Sequence, residues 1–163
     1  MKTPLPVSQA MLACAILLAA QHGSAFAQDD TQSIARAGSQ PQATGPAANF
    51  SGQVKVDPLW PKNGQINASG AYVTFAPGAR SAWHVHPSGQ RLVVTAGSGL
   101  TQEWGKPVQQ LRVGDVVWCP PGVKHWHGAA PDAQMTHLAV TGMATGKGVD
   151  WMEKVSDDQY HGR

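Results

Sequence analysis

The sequence predicts an all-β chain folded as a sandwich or barrel, and three observations carry that prediction. Short runs of alternating, β-branched or aromatic residues recur at close spacing. Between them fall turns drawn from 18 glycines and 12 prolines in 163 residues. Before residue 150, no segment carries the 3.6-residue apolar period of a helix. A chain of this length suits one domain with a core of its own. The formal charge is +2, without a basic stripe or a run of like charge, which gives no support to nucleic acid or an anionic lipid surface as partner.

At the start, Lys2 is the only charge before Asp29, and Met11 to Ala20, "MLACAILLAA", is apolar. "SAFA" follows, with Ala25 and Ala27 at the positions a signal peptidase reads. The apolar run is too short to span a bilayer, so no stable membrane anchor is expected. Residues 1–27 are read as a signal peptide cleaved after Ala27, with export to a bacterial periplasm. Cleavage removes Cys14, leaving Cys119 unable to form an intramolecular disulfide; it is read as a small buried hydrophobe on a strand. His22 also goes, which leaves six of the seven histidines.

From Gln28 to Ala48 the composition alone reads as a flexible lead-in. "QVKV" (Gln53 to Val56) then alternates until Asp57-Pro58 breaks it. "AYVTF" (Ala71 to Phe75) alternates and stops at Pro77-Gly78, and "QRLVVTAG" reads as a strand closed at Gly97. "GLTQEW" and "VQQLRV" flank Gly105-Lys106-Pro107 as a hairpin. "DVVWC" ends at Pro120-Pro121-Gly122, and "MTHLAVT" (Met135 to Thr141) is the last strong strand. Ser156-Asp157-Asp158-Gln159 fits a capping box opening a short terminal helix.

Four histidines fall into two pairs, His84/His86 in "SAWHVHPSGQ" and His125/His127 in "PPGVKHWHG". Alternate residues of a strand share a face, so each pair points one way. Even parity keeps Gln90 on the face of His84 and His86 if the strand runs through Pro87-Ser88-Gly89. In "MTHLAVT", His137, Ala139 and Thr141 share a face. A lone strand histidine is more often a surface or core residue than a ligand. Two pairs, each bounded by a Gly/Pro turn, favour a site for a divalent transition metal.

The spacing also resembles a family. Gly78, five residues, His84-Val85-His86, three residues, Gln90, six residues and Gly97 resemble the first cupin motif. Gly114, five residues, Pro120-Pro121-Gly122, two residues and His125 resemble the second. The resemblance implies a single cupin domain, a double-sheet jelly roll over 37–163 after a lead-in at 28–36, with His84, His86, Gln90 and His125 as metal ligands. Gln90 stands where most cupins have glutamate, and Ala129 where an asparagine is common. Three imidazoles and an amide leave a divalent ion its full charge, which suits binding an anion or polarising a carbonyl more than stabilising a high oxidation state. Manganese is expected first, with iron or zinc as the other choices.

"VTFAPGARSAWHVHPSGQRLVVTAG", "GDVVWCPPGVKHWHGAAPDAQMTHLAVT" and "VDWMEKVSDDQY" are similar to the small bacterial cupins that act as manganese-dependent (R)-selective hydroxynitrile lyases. That likeness implies reversible cleavage of an (R)-cyanohydrin such as mandelonitrile to an aldehyde and HCN. His137 is then the leading base candidate and His127 its partner in handling cyanide, with the division between them open. Ala71, Val73, Phe75, Trp118 and Thr141 are candidate pocket walls. The partner is a small-molecule substrate, and a homodimer or homotetramer is expected by analogy. Three alternatives stand beside this reading: a cupin dioxygenase or related oxidoreductase, a sugar or uronate isomerase using Arg80, Arg91 or Lys124, and an exported metal- or small-ligand-binding module.

Overall fold

The structure is a computed structural model describing residues 31–144 and 146–163. The signal-peptide expectation for residues 1–27 lies outside the described residues, as does the start of the lead-in. Strands β1 (Ala43–Thr44), β2 (Phe50–Ser51), β3 (Val54–Trp60), β4 (Ala68–Phe75), β5 (Arg80–Ser81) and β6 (His84–Val85) precede the long β7 (Gln90–Glu103). After it come β8 (Gln109–Arg112), β9 (Val116–Cys119), β10 (His125–Ala129), β11 (Met135–Gly142), β12 (Asp150–Trp151) and the helix α1 (Asp157–Tyr160).

All strand pairs are antiparallel and form two curled layers. One layer runs β1-β3-β4-β11-β7-β9. The other runs β2-β5-β10-β7-β8, with β6 placed between β10 and β12. This is the jelly-roll architecture that the strand pattern and the motif spacing lead one to expect.

The strand read as closed at Gly97 instead continues to Glu103 and belongs to both layers. Gln90 to Gly97 pair with β11, whereas Ser98 to Glu103 pair with β8 and β10. Gly97 is the corner: its φ of +72° is left-handed, and a Cβ there would sit 1.8 Å from the Gln134 carbonyl oxygen. Glycine marks a bend that the chain passes through, not an end.

Between the layers lies a core of Val54, Phe75, Val94, Leu111, Ala129 and Met135. Trp126 points to the opposite face of β10 and packs with Trp83, Val155 and Tyr160. The terminal segment covers that face. Ser156 accepts from the Gln159 backbone while the Gln159 side chain reaches back, completing the expected capping box. Tyr160 donates to the Ala129 carbonyl at 2.7 Å, and Arg80 lies 4.7 Å over the Tyr160 ring while binding Val155 O and Asp157. These contacts hold β10 from behind, and its other face carries the histidines.

Candidate metal and catalytic site

Both histidine pairs point into the space between the layers. On β6 and β10, His84 and His125 are direct cross-strand partners. Gln90 opens β7 in the other layer, opposite Thr141. The strand does not run through Pro87-Ser88-Gly89 as parity assumed. A turn closed by the Gly89 N–H on the His86 carbonyl carries the chain from one layer to the other. Gln90 faces the histidines across the gap, not along a strand.

His84, His86, Gln90, His125, His127 and His137 are all buried. Ring centroids lie 4.9 Å apart for His84 and His86, 4.3 Å for His84 and His125, and 5.3 Å for His86 and His125. His84, His125 and His127 each offer a ring nitrogen within 4.8 Å of the others. That trio contains His127, and His86 and Gln90 border the same cavity as His84 and His127.

The hydrogen bonds divide these rings into two kinds. His84 Nδ1 donates to the Ala82 carbonyl at 2.9 Å, His125 Nδ1 to Val123 at 2.9 Å and His86 Nδ1 to Gly148 at 2.6 Å. Each such bond fixes the tautomer with the Nε2 lone pair turned inward. His86 Nε2, His125 Nε2 and Gln90 Oε1 are buried with no protein partner. Unpaired polar atoms in a buried site are costly, and three such acceptors suit a cation. His84, His86, Gln90 and His125 thus fit a divalent metal.

His127 has no carbonyl on Nδ1; that atom lies 3.2 Å from His137 Nε2. His137 is fully buried behind it, and both rings flank Phe75, at 5.7 and 5.6 Å. Burial is the main reason every one of these imidazoles is held neutral. It draws His125 and His137 down to about 4, and lowers His84 and His127 well below the usual range, helped by neighbouring imidazoles. Burial also lowers His86, with the Gly148 carbonyl and the Gln90 side chain opposing it. Neutral rings keep lone pairs free for metal or proton.

Beside the cluster is a cavity of about 220 Å³ bordered by His84, His86, Gln90, His127 and Thr141. Its lining is mostly apolar, with Phe50, Met143, Val149 and Trp151 contributing. The Trp151 indole lies 4.9 Å from the His84 ring and 5.3 Å from Phe50. A larger cavity, about 380 Å³, lies along β8 and β9 and touches His125. The smaller one is the candidate site because His84, His86, Gln90 and His127 all border it.

Of the expected walls, Thr141 borders the cavity and accepts a hydrogen bond from Gln90 Nε2 at 2.8 Å. Phe75 packs on both catalytic candidates, and Val73 is the strand partner of His137. Ala71 sits opposite Ala139 and borders a separate groove at Pro58 and Trp60. None of these three lines the cavity, and neither does Trp118. Its side chain is half exposed, lies against Gly89 and stacks under Arg91, at 5.0 Å. Sequence reasoning missed Phe50, Ser69, Met143, Gly148, Val149 and Trp151 as site residues. Trp151 reaches the site through pairing of β12 with β6, which no local pattern announces.

The cupin-domain family model matches residues 71–141. A protein named (R)-mandelonitrile lyase from Granulicella tundricola is 55% identical over 127 residues, which is 78% of this chain and 97% of that protein. A cupin-like protein from Thermotoga maritima superposes with a TM-score of 0.70 at 42% identity, covering 73% of this chain and 90% of its own. A cupin-2 domain protein from Rhodospirillum rubrum gives a TM-score of 0.60 at 20% identity, over 79% and 84% of the two chains, a likeness of fold alone.

Proposed function

The chain belongs to the cupin family, and from that premise we propose that it is an enzyme of the hydroxynitrile lyase type, cleaving an (R)-cyanohydrin such as mandelonitrile to an aldehyde and HCN. One observation carries the reading beyond likeness. A neutral imidazole that is not tied to a carbonyl, His127, faces the same apolar cavity as the unpaired ligand atoms of His86 and Gln90.

In cleavage, the hydroxyl O–H bond breaks, the C–C bond to the nitrile breaks, and its electron pair leaves with cyanide. A divalent cation held by His84, His86, Gln90 and His125, manganese in our assignment, supplies when bound the positive charge that favours the ionised hydroxyl. His127 borders the cavity and accepts the hydroxyl proton at its ring. His137 lies outside that lining and acts through the 3.2 Å contact, sharing the positive charge of the protonated pair. The same proton then goes to cyanide, so the pair ends as it began. Met143, Val149, Phe50 and Trp151 surround the organic part of the substrate and keep water from it.

Benzaldehyde release from (R)-mandelonitrile tests this directly, with Mn2+-loaded protein compared against chelated protein and His127→Ala. We expect metal-dependent release that prefers the R enantiomer and falls about 100-fold or more in the variant. Folded, fully metallated protein that releases no benzaldehyde would overturn the assignment.

A further inference from the structure

We infer that Thr141 is a positioning residue for the Gln90 amide, accepting its N–H end so that the oxygen end is left to the metal site; the inference rests on the metal-site reading above. A glutamine amide has nearly the same shape either way round, but its two ends are chemically opposite: one is an acceptor and the other carries two N–H donors. Only the acceptor end can meet a cation. Gln90 is 6% exposed, so its amide depends largely on partners within the protein.

Thr141 is one. It is the cross-strand partner of Gln90 in the β11–β7 register, and its Oγ1 takes the Gln90 Nε2–H at 2.8 Å. With the nitrogen held there, Oε1 is left buried without a hydrogen-bond partner, as are the Nε2 atoms of His86 and His125. A β-branched side chain suits this role because few χ1 wells are open to it on a strand. The backbone supports the same contact one residue further on, where Gly142 donates to the Gly89 carbonyl at 2.9 Å. The end of β11 therefore fixes both the main chain before Gln90 and its amide.

A glutamate ligand would need no such device, since its two oxygens are equivalent. That difference makes the inference testable. Mn2+ affinity, measured by titration calorimetry and by the EPR signal of free Mn2+, is compared for wild type, Thr141→Val and Thr141→Ser. Both changes are repeated in a Gln90→Glu background, and the thermal midpoints of the metal-free proteins serve as the folding control. We expect Thr141→Val to weaken Mn2+ binding about 10- to 100-fold and Thr141→Ser to restore it to within about threefold. In the Gln90→Glu background, Thr141→Val should cost less than about threefold. Equal losses in the wild-type and Gln90→Glu backgrounds would mean a merely structural role and overturn the inference, as would Thr141→Val binding as tightly as wild type. Wild-type protein that binds no Mn2+ would instead bring down the metal-site reading, and this inference with it.

Discussion

Truncating Trp151 to alanine separates the pocket wall from the metal site it borders. The indole stands at the end of β12, held by the pairing of Trp151 with His84, and meets Phe50 edge-on at 5.3 Å. If the aryl ring of a cyanohydrin rests against that wall, the variant loses an aromatic contact of about 1 kcal/mol. It also loses burial of roughly 40 Å² of apolar surface, worth about another 1 kcal/mol. Together these amount to roughly 30-fold in kcat/KM for mandelonitrile. A small aliphatic cyanohydrin has no ring to place there and should lose less than about threefold. The assay is initial-rate aldehyde release for both substrates, with Mn2+ affinity measured on the same preparations. Equal losses for the two substrates, or a matching loss of Mn2+ affinity, would refute the reasoning, because the indole would then act by supporting His84.

Gly142 approaches the loop before Gln90 so closely that an added Cβ would meet the Ser88 carbonyl oxygen at 2.4 Å. Gly142→Ala should therefore lower stability in urea titrations by about 1–3 kcal/mol and weaken Mn2+ binding with it; an unchanged midpoint would contradict the close approach. Burial holds His137 near 4, against about 6.5 in an unfolded chain, so below 6.5 the unfolded state takes up a proton that the folded state refuses. Stability of metal-free protein should then fall as pH is lowered from 6.5, by about 2 kcal/mol at pH 5 from His137 alone, and this contribution should level off below 4. Urea titrations at pH 7.5 and 5 that coincide would refute this. Burial pushes the Cys119 thiol up to about 12, so iodoacetamide at pH 8 should leave Cys119 unmodified in folded protein and label it fully in urea, read by peptide mass.

What could be read from the sequence follows the range of the interactions involved. Two-residue periodicity turns His84 with His86, and His125 with His127, to the inside, because pleating is a property of neighbouring residues. The capping box at Ser156 and the hairpin after Glu103 are legible for the same reason. Gly97 misleads because a left-handed glycine looks alike in sequence whether it ends a strand or bends one; the Gln134 carbonyl that decides it arrives from the next hairpin. Trp118 misleads because strand parity gives two faces without saying which is inside. Its neighbour Cys119 turns inward to pair with Gln90, leaving the indole on the Arg91 side. Trp151 and Gly148 stay hidden because their partners lie on β6 and in the turn after it, more than sixty residues earlier.

The same distinction of range runs through the site chemistry. In each H-x-H pair, the first histidine anchors itself: His84 and His125 both give Nδ1–H to the carbonyl two residues before them. Their tautomers are set by local chain geometry alone. The second histidine of each pair takes whatever the fold delivers. His86 receives the Gly148 carbonyl, an acceptor that can never give a proton back, so its Nε2 lone pair stays fixed inward. His127 receives His137, a ring that can accept or donate, so the proton between them can lie on either side. Under the proposed mechanism, two motifs of the same form therefore yield a ligand in one case and a proton carrier in the other. The choice is made by the strand or loop that packs behind the second histidine, not by the motif itself.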